Sequence, residues 1–406
     1  MNILIVGNIN WFNLRDMHIK PLINAGYKLT VLSDVEPDSP DYIKGVDFIH
    51  LNKRRFSIKG WLYMAKQLFS LLVKGRLFEW KERARVLYLY QNSLKYLGQV
   101  NAIQQDKFDL VHCHFLTRPA CITLYLSNIS LPIISTIHGS DLYVSAFNTI
   151  VDRSYIELSF LRSTNIVVPG SSEEELLVKL GGASKKVVKL PWGIDTSFFT
   201  LLDSEDSQEL LKERWGFANK QVLLSTRNHA SIYNIQSIIK AFSSFSVKED
   251  TILVIAGNGE QTDELQSLVK KYKLIEMVIF TGRLTHNELK ELYQLSDVYV
   301  QNPLSDALPY SMLEAIACGC SVVCGELGSI VDLVTNPELN EQSSLFFSGE
   351  GVLNDHELSK LLTLAMTNGR KKYFSIKYQS VIDNNYSLSA YTSKISNIYQ
   401  SLLKVK

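Results

Sequence analysis

The sequence predicts an α/β protein built from two doubly wound parallel sheets. Short, almost wholly apolar runs alternate with stretches of helical periodicity through the first 190 residues, the pattern of buried parallel strands joined by crossover helices. The same alternation starts afresh after residue 220. Between the two series stand PWGIDTSFF (191–199) and the polar DSEDSQ (203–208), where a linker is expected. At 406 residues the chain is long for one domain and comfortable for two. The expected division is 1–195, joined by a last helix at 386–406, and 196–385.

In chain order, NILIV (2–6), KLTVL (28–32), DLVHCH (109–114), PIISTIH (132–138), NIVVP (165–169) and KVVKL (186–190) read as strands. Helices are expected between them at 16–25, 118–127, 150–162 and 173–180. In the second half QVLLST (221–226), TILVIAG (251–257), MVIFTG (277–282), DVYVQN (297–302) and SVVC (321–324) read as strands. Their helices are expected at 235–246, 261–271, 286–294 and 309–318. The tail carries Ile395, Ile398, Tyr399, Leu402 and Leu403 near helical spacing.

Composition excludes several classes. Hydrophobic residues are 46% and charged residues 20%, as in ordinary globular proteins. No apolar run reaches the roughly 18–20 residues that span a bilayer. MNILIVGNINWF has no basic leader and reads directly into a strand. Five cysteines lack a secreted-scaffold spacing, and the three at 318–324 have no companion ligands, so neither disulfides nor a metal is expected. A reducing cytoplasmic setting follows. Net charge is +1, yet residues 1–195 hold 23 Lys and Arg against 17 Asp and Glu. Ten of the basic residues fall in 53–85 and are interleaved with aromatics, which suits an anionic membrane surface or, equally, a solvated basic face. No nucleic-acid motif accompanies the charge.

The segment most informative about chemistry is SDALPYSMLEAIACGCSVV (305–323). Asp306 and Glu314 stand eight positions apart at the entrance to, and on, a short helix. Pro309 is placed to be its first residue and Gly319 to end it. A helix N-terminus suits a diphosphate, and the carboxylates suit the hydroxyls of the sugars beside it. A capped core helix would carry the same signs. Arg227 follows the strand at 221–226, at the edge where such sheets bind ligands, and its guanidinium can chelate two phosphate oxygens. GNGEQT (257–262) lacks the third glycine of a dinucleotide fingerprint, which argues against a nicotinamide-dependent oxidoreductase. TIHGSD (136–141) ends another strand with His138, where position favours function over a structural histidine. His112 and His114 of HCHF share one face of a core strand and read as structural.

These motifs resemble those of the retaining GT-B glycosyltransferases of family four. The acidic pair matches the family's acidic-x7-acidic pattern, with Ala307 for the usual Gly. PWGIDTSFF resembles the family's interdomain linker, HGSD recurs there, and HCHF is similar to its H-A-H-F. The resemblance implies two Rossmann-like domains facing a cleft, with the last helix crossing back to the first domain. It implies a retaining, metal-independent transfer of a sugar from a nucleoside-diphosphate sugar, with no cofactor, to a glycan or lipid-linked acceptor in cell-surface polysaccharide synthesis. In its terms Glu314 holds the ribose, Asp306 approaches the donor sugar, and the amides of Ala307, Leu308, Pro309 and Tyr310 hold the diphosphate with Arg227. His138 lies by the donor sugar. Gly257 and Asn258, Arg283 and Leu284 lie near the base, and Gly7 and Asn8 near the phosphates. Trp11, Phe12 and Asp141 belong to the acceptor side. The family's Lys after Arg227 is missing, with Tyr233-Asn234 nearby, and a second Gly after Gly7 is missing too. Those gaps motivate the alternative of a non-catalytic GT-B subunit that binds glycan or partners an active transferase.

Overall fold

The computed structural model describes residues 1–8, 10–11, 14–38, 44–52, 95–245, 250–334, 345–368 and 380–404. The basic stretch 53–85 and Phe12 lie outside the described residues. The chain divides into two compact units, one comprising Met1–Leu190 with Thr392–Lys406, the other Pro191–Tyr391.

The first unit holds a seven-stranded, wholly parallel sheet. Its strands are β1 (Asn2–Val6), β2 (Lys28–Ser33), β3 (Val46–His50), β4 (Leu110–His114), β5 (Ile133–Thr136), β6 (Asn165–Val168) and β7 (Val187–Lys189). They lie in the order β3-β2-β1-β4-β5-β6-β7. β1 pairs with β2 from Asn2↔Lys28 and with β4 from Ile3↔Leu110, so the order reverses between β1 and β4. β1 and β4 are buried on both faces, which is why β1 is apolar from Ile3 to Val6 and β4 holds no charged Asp, Glu, Lys or Arg. The C-terminal helix Leu388–Leu403 buries Tyr391, Ile395 and Tyr399 at four-residue spacing.

The second unit repeats the plan with six parallel strands: β8 (Gln221–Ser225), β9 (Thr251–Ala256), β10 (Val278–Gly282), β11 (Val298–Val300), β12 (Ser321–Glu326) and β13 (Leu345–Glu350). Their order is β10-β9-β8-β11-β12-β13. Here the reversal falls between β8 and β11, joined through Val298↔Leu223 and Tyr299↔Leu224. In open α/β sheets ligands bind at such a switch point, beyond the carboxyl ends of the strands.

The structure departs from expectation in three places. β3 and β13 are edge strands that no continuous apolar run announces; β3 is only half-buried. The polar stretch 203–208 is no loop but the start of the helix Glu205–Arg214, capped by Ser204, whose hydroxyl accepts from the Ser207 amide. Pro309 is the N-cap of the helix Tyr310–Ala317, not its first residue.

Candidate functional site

At the switch point of the second unit, residues from β8, β11 and the following helices form one hydrogen-bonded group. Arg227 leaves β8 and turns its guanidinium onto Asp306, with Nη2 2.5 Å from Oδ2. Its Nη1 donates to Ser311 Oγ at 3.2 Å, and Tyr233 lies under the guanidinium, 4.2 Å from ring centroid to Cζ. The Arg227 side chain is 12% exposed. Burial alone would weaken its charge, but Asp306 and, less strongly, Tyr299 and Tyr233 outweigh that and raise its pKa, so it stays cationic.

Asp306 is shared. Its Oδ1 accepts the Ala307 amide at 2.9 Å while Oδ2 holds Arg227. The loop bearing it sits on Gly328, whose φ is +52° and whose missing Cβ would lie 2.4 Å from the Asp306 carbonyl oxygen. Only glycine fits there. No side chain caps the helix beginning at Tyr310. Pro309 has no N–H, and Ala307 gives its own to Asp306. The expected set of amides at 307–310 is thereby corrected: Leu308, Tyr310 and Ser311 supply this helix start's free donors, in keeping with the rule that first-turn N–H groups lack intrahelical partners.

Glu314, one turn further on, is buried. The Tyr293 hydroxyl donates to its Oε2 at 3.1 Å and is itself 2.8 Å from Thr226 Oγ1. Burial pushes the carboxyl up to about 7, against the pull of Tyr293 and Arg227. Tyr299 donates to Ser311 Oγ at 2.8 Å, completing the chain Tyr299–Ser311–Arg227–Asp306. Tyr293, Tyr299 and Ser311 were not among the residues singled out in the sequence. Ser311 is legible in the family pattern, five positions after Asp306; the tyrosines have no local signal.

The glycine loop serves packing. Cβ atoms on Gly257 and Gly259 would come within 2.6 Å of the Arg227 carbonyl and 2.7 Å of the His229 carbonyl. His229, also unmarked by the sequence reading, bonds Thr262 Oγ1 through Nδ1 at 2.8 Å, while its Nε2 is buried without a partner among the described residues. Asn258 accepts the His229 amide through its carbonyl at 3.1 Å. Arg283 and Leu284 follow β10, which β9 separates from β8.

In the first unit His138 is buried beyond β5. Phe115 stacks on it at 4.1 Å and Trp11 meets it edge-on at 4.7 Å, so Trp11 is half-buried rather than projecting. Burial, with His18 close by, lowers His138 to about 3. Asp141 accepts the His138 amide at 3.0 Å and is 1% exposed; burial pushes it up to about 7 despite backbone donors from His138, Leu116 and Thr117. Its carboxyl therefore closes the turn and does not face an acceptor. Gly7 makes room for Leu14, whose Cδ2 would lie 2.8 Å from an added Cβ. Asn8 accepts the Asn10 amide at 3.0 Å in an Asx turn. Among the described residues no helix is long and apolar enough to cross a membrane.

Comparison with known proteins decides the family. Residues 207–382 match the model of glycosyl transferases group 1, and residues 20–198 match that of glycosyltransferase family 4. The chain is a GT-B glycosyltransferase. This transferase is 21% identical over 267 residues to N-acetyl-alpha-D-glucosaminyl L-malate synthase of Bacillus anthracis, covering 63% of the chain and 68% of that relative. It is 24% identical over 310 residues to alpha-monoglucosyldiacylglycerol synthase of Streptococcus pneumoniae, covering 70% and 69%. Its fold matches the crystal structure of Anabaena Alr3699/HepE in complex with UDP, with a TM-score of 0.76 at 14% identity over 99% of this chain and all of that one.

Proposed function

We propose that this glycosyltransferase moves a sugar from a nucleoside-diphosphate sugar to a glycan or lipid-linked acceptor, with retention of configuration and without a metal in the transfer. Cell-surface polysaccharide synthesis at the inner face of the membrane is the setting this reading favours. The observation that carries it is the convergence of Arg227, Asp306, Ser311 and Glu314 on one uncapped helix start at the β8/β11 switch point. An arriving diphosphate takes over the guanidinium from Asp306, and the amides of Leu308, Tyr310 and Ser311 complete its cradle. Freed, the Asp306 carboxylate turns to the hydroxyls of the donor sugar. Glu314, held by Tyr293, accepts the ribose hydroxyls. Arg227 and the helix dipole then stabilise the departing nucleoside diphosphate. In support, a structural neighbour was solved with UDP and with UDP-glucose.

The second reading, a non-catalytic GT-B subunit that binds glycan or partners an active transferase, is favoured by the missing second cation after Arg227, with Tyr233 and Asn234 nearby. One experiment separates the two. The purified chain is incubated with UDP-, GDP- and ADP-sugars, and thermal shift and release of free nucleotide are followed, with Arg227→Ala and Glu314→Ala alongside. A shift with slow release, lost in both variants, supports transfer. A shift with no release, or no shift with any donor, favours the subunit reading.

A further inference from the structure

Three histidines from distant parts of the chain converge in the first unit, beside His138. His18 lies on the π turn Arg15–Ile19, and His112 and His114 lie on β4. All three are buried, with ring centroids 4.4–4.7 Å apart. One ring nitrogen from each lies within 4.8 Å of the other two. Tyr399 of the C-terminal helix joins them: its hydroxyl is 2.7 Å from His112 Nδ1 and 3.4 Å from His18 Nε2.

Hydrogen bonding accounts for only part of this cluster. His112 is satisfied at both nitrogens, by Tyr399 and by Thr136 Oγ1 at 2.6 Å. His114 is not. Its Nδ1 reaches His138 Nε2 only at 3.4 Å, and its Nε2 is buried with no partner among the described residues. Orphaned buried polar atoms are rare and mark a missing water or ion. π turns, finally, are uncommon and concentrate where a side chain must be re-aimed for function.

The geometry points to a transition-metal site of the zinc class, with His18, His112 and His114 as imidazole ligands and the Tyr399 hydroxyl as the fourth. Tetrahedral zinc with nitrogens at about 2.0–2.1 Å sets its ligand atoms about 3.3 Å apart. The two separations around Tyr399 already bracket that value, and the widest histidine separation closes by ring rotation toward the ion. Three imidazoles and a phenol select zinc, nickel or copper over magnesium or calcium. Binding replaces the Tyr399–His112 hydrogen bond with two bonds to the ion, and the phenol proton leaves to the buffer, one per ion. Thr136 holds the opposite nitrogen of His112 and so fixes that ring. With four protein ligands and no open position the ion is structural. It staples residue 18, β4 and the C-terminal helix, and takes no part in sugar transfer.

The test uses the full chain, purified without a polyhistidine tag. Cobalt(II) chloride is offered both to the folded protein and during refolding from guanidinium, since the site is buried. The expected result is one cobalt per chain with the visible absorption of tetrahedral cobalt, displaced by zinc, and a melting temperature higher by about 5 °C with zinc in excess. His18→Gln and His114→Gln remove the band; Tyr399→Phe keeps an ion but shifts the band. Should a variant fail to fold, zinc-linked proton release by the wild type gives the same answer. No stoichiometric cobalt after either route, or equal binding by the histidine variants, overturns the site.

Discussion

Arg227 and Asp306 hold each other at 2.5 Å, so the cation proposed to receive a diphosphate is already paired within the protein. Charge-assisted bonds are worth roughly 1.5–3 kcal/mol each, and exchanging Asp306 for a phosphate is therefore close to neutral until the helix amides add their share. In the proposed function Asp306 is therefore a competitor to the nucleotide as well as a ligand to the sugar. Asp306→Asn removes the competing charge, and UDP is expected to bind about tenfold more tightly, near 1.4 kcal/mol. Transfer should fall in the same variant. Its stability without nucleotide should drop, because a buried guanidinium loses its counter-ion. Titration calorimetry checks the first point; equal or weaker UDP binding would sink the competition.

Glu314, in its proposed role, should make nucleotide binding depend on pH. Its ionised form would accept the ribose hydroxyls, and burial pushes its pKa up to about 7. UDP affinity should thus rise with pH through about 7 and level off above it. The Tyr293 bond favours the carboxylate, so Tyr293→Phe should move that rise to higher pH and weaken binding most below it. A pH series of UDP dissociation constants for both proteins reads this directly; superimposable curves would remove Tyr293 from the site.

The same burial has a cost for folding. A carboxyl raised from 4.5 to about 7 on folding destabilises the native state as pH rises from the unfolded value through the folded one. The loss is complete above about 7 and is on the order of 3 kcal/mol. Glu314→Gln, which cannot ionise, should therefore be more stable than wild type at pH 8 and little different at pH 4, while its affinity for UDP falls. Denaturant melts at the two pH values test the sign.

How much of this was legible in the sequence depends on where the information lies. β1, β8 and β9 announce themselves because a strand buried on both faces is apolar through most of its length. β3 and β13 do not, because an edge strand need not be. Arg227, Asp306 and Glu314 were legible as strand-end and helix-start residues, and the structure brings all three together. Tyr293 was not: it meets Thr226 and Glu314 only because β11 inserts beside β8, and strand order is a tertiary choice. The meeting of His18, His112 and Tyr399, up to 381 residues apart, was hidden for the same reason. Asp141 misled because strand-end position says where a carboxyl begins, not which amides it ends on.

Tyr233 offers the last test of the donor site. It ends a turn whose next residue, Asn234, takes a left-handed φ of 50°, which sets the ring beneath Arg227. A guanidinium over a tyrosine face is worth about 0.5–2 kcal/mol, the larger figure where water is excluded, as here. The ring orients the cation without adding charge. Tyr233→Leu should keep the fold, because Leu fills much of the same space, but raise the Michaelis constant for the donor about 3- to 30-fold. Tyr233→Phe keeps the ring face and should bind donor like wild type. Should Phe and Leu behave alike, Tyr233 is packing alone and Arg227 is held by Asp306 and Ser311.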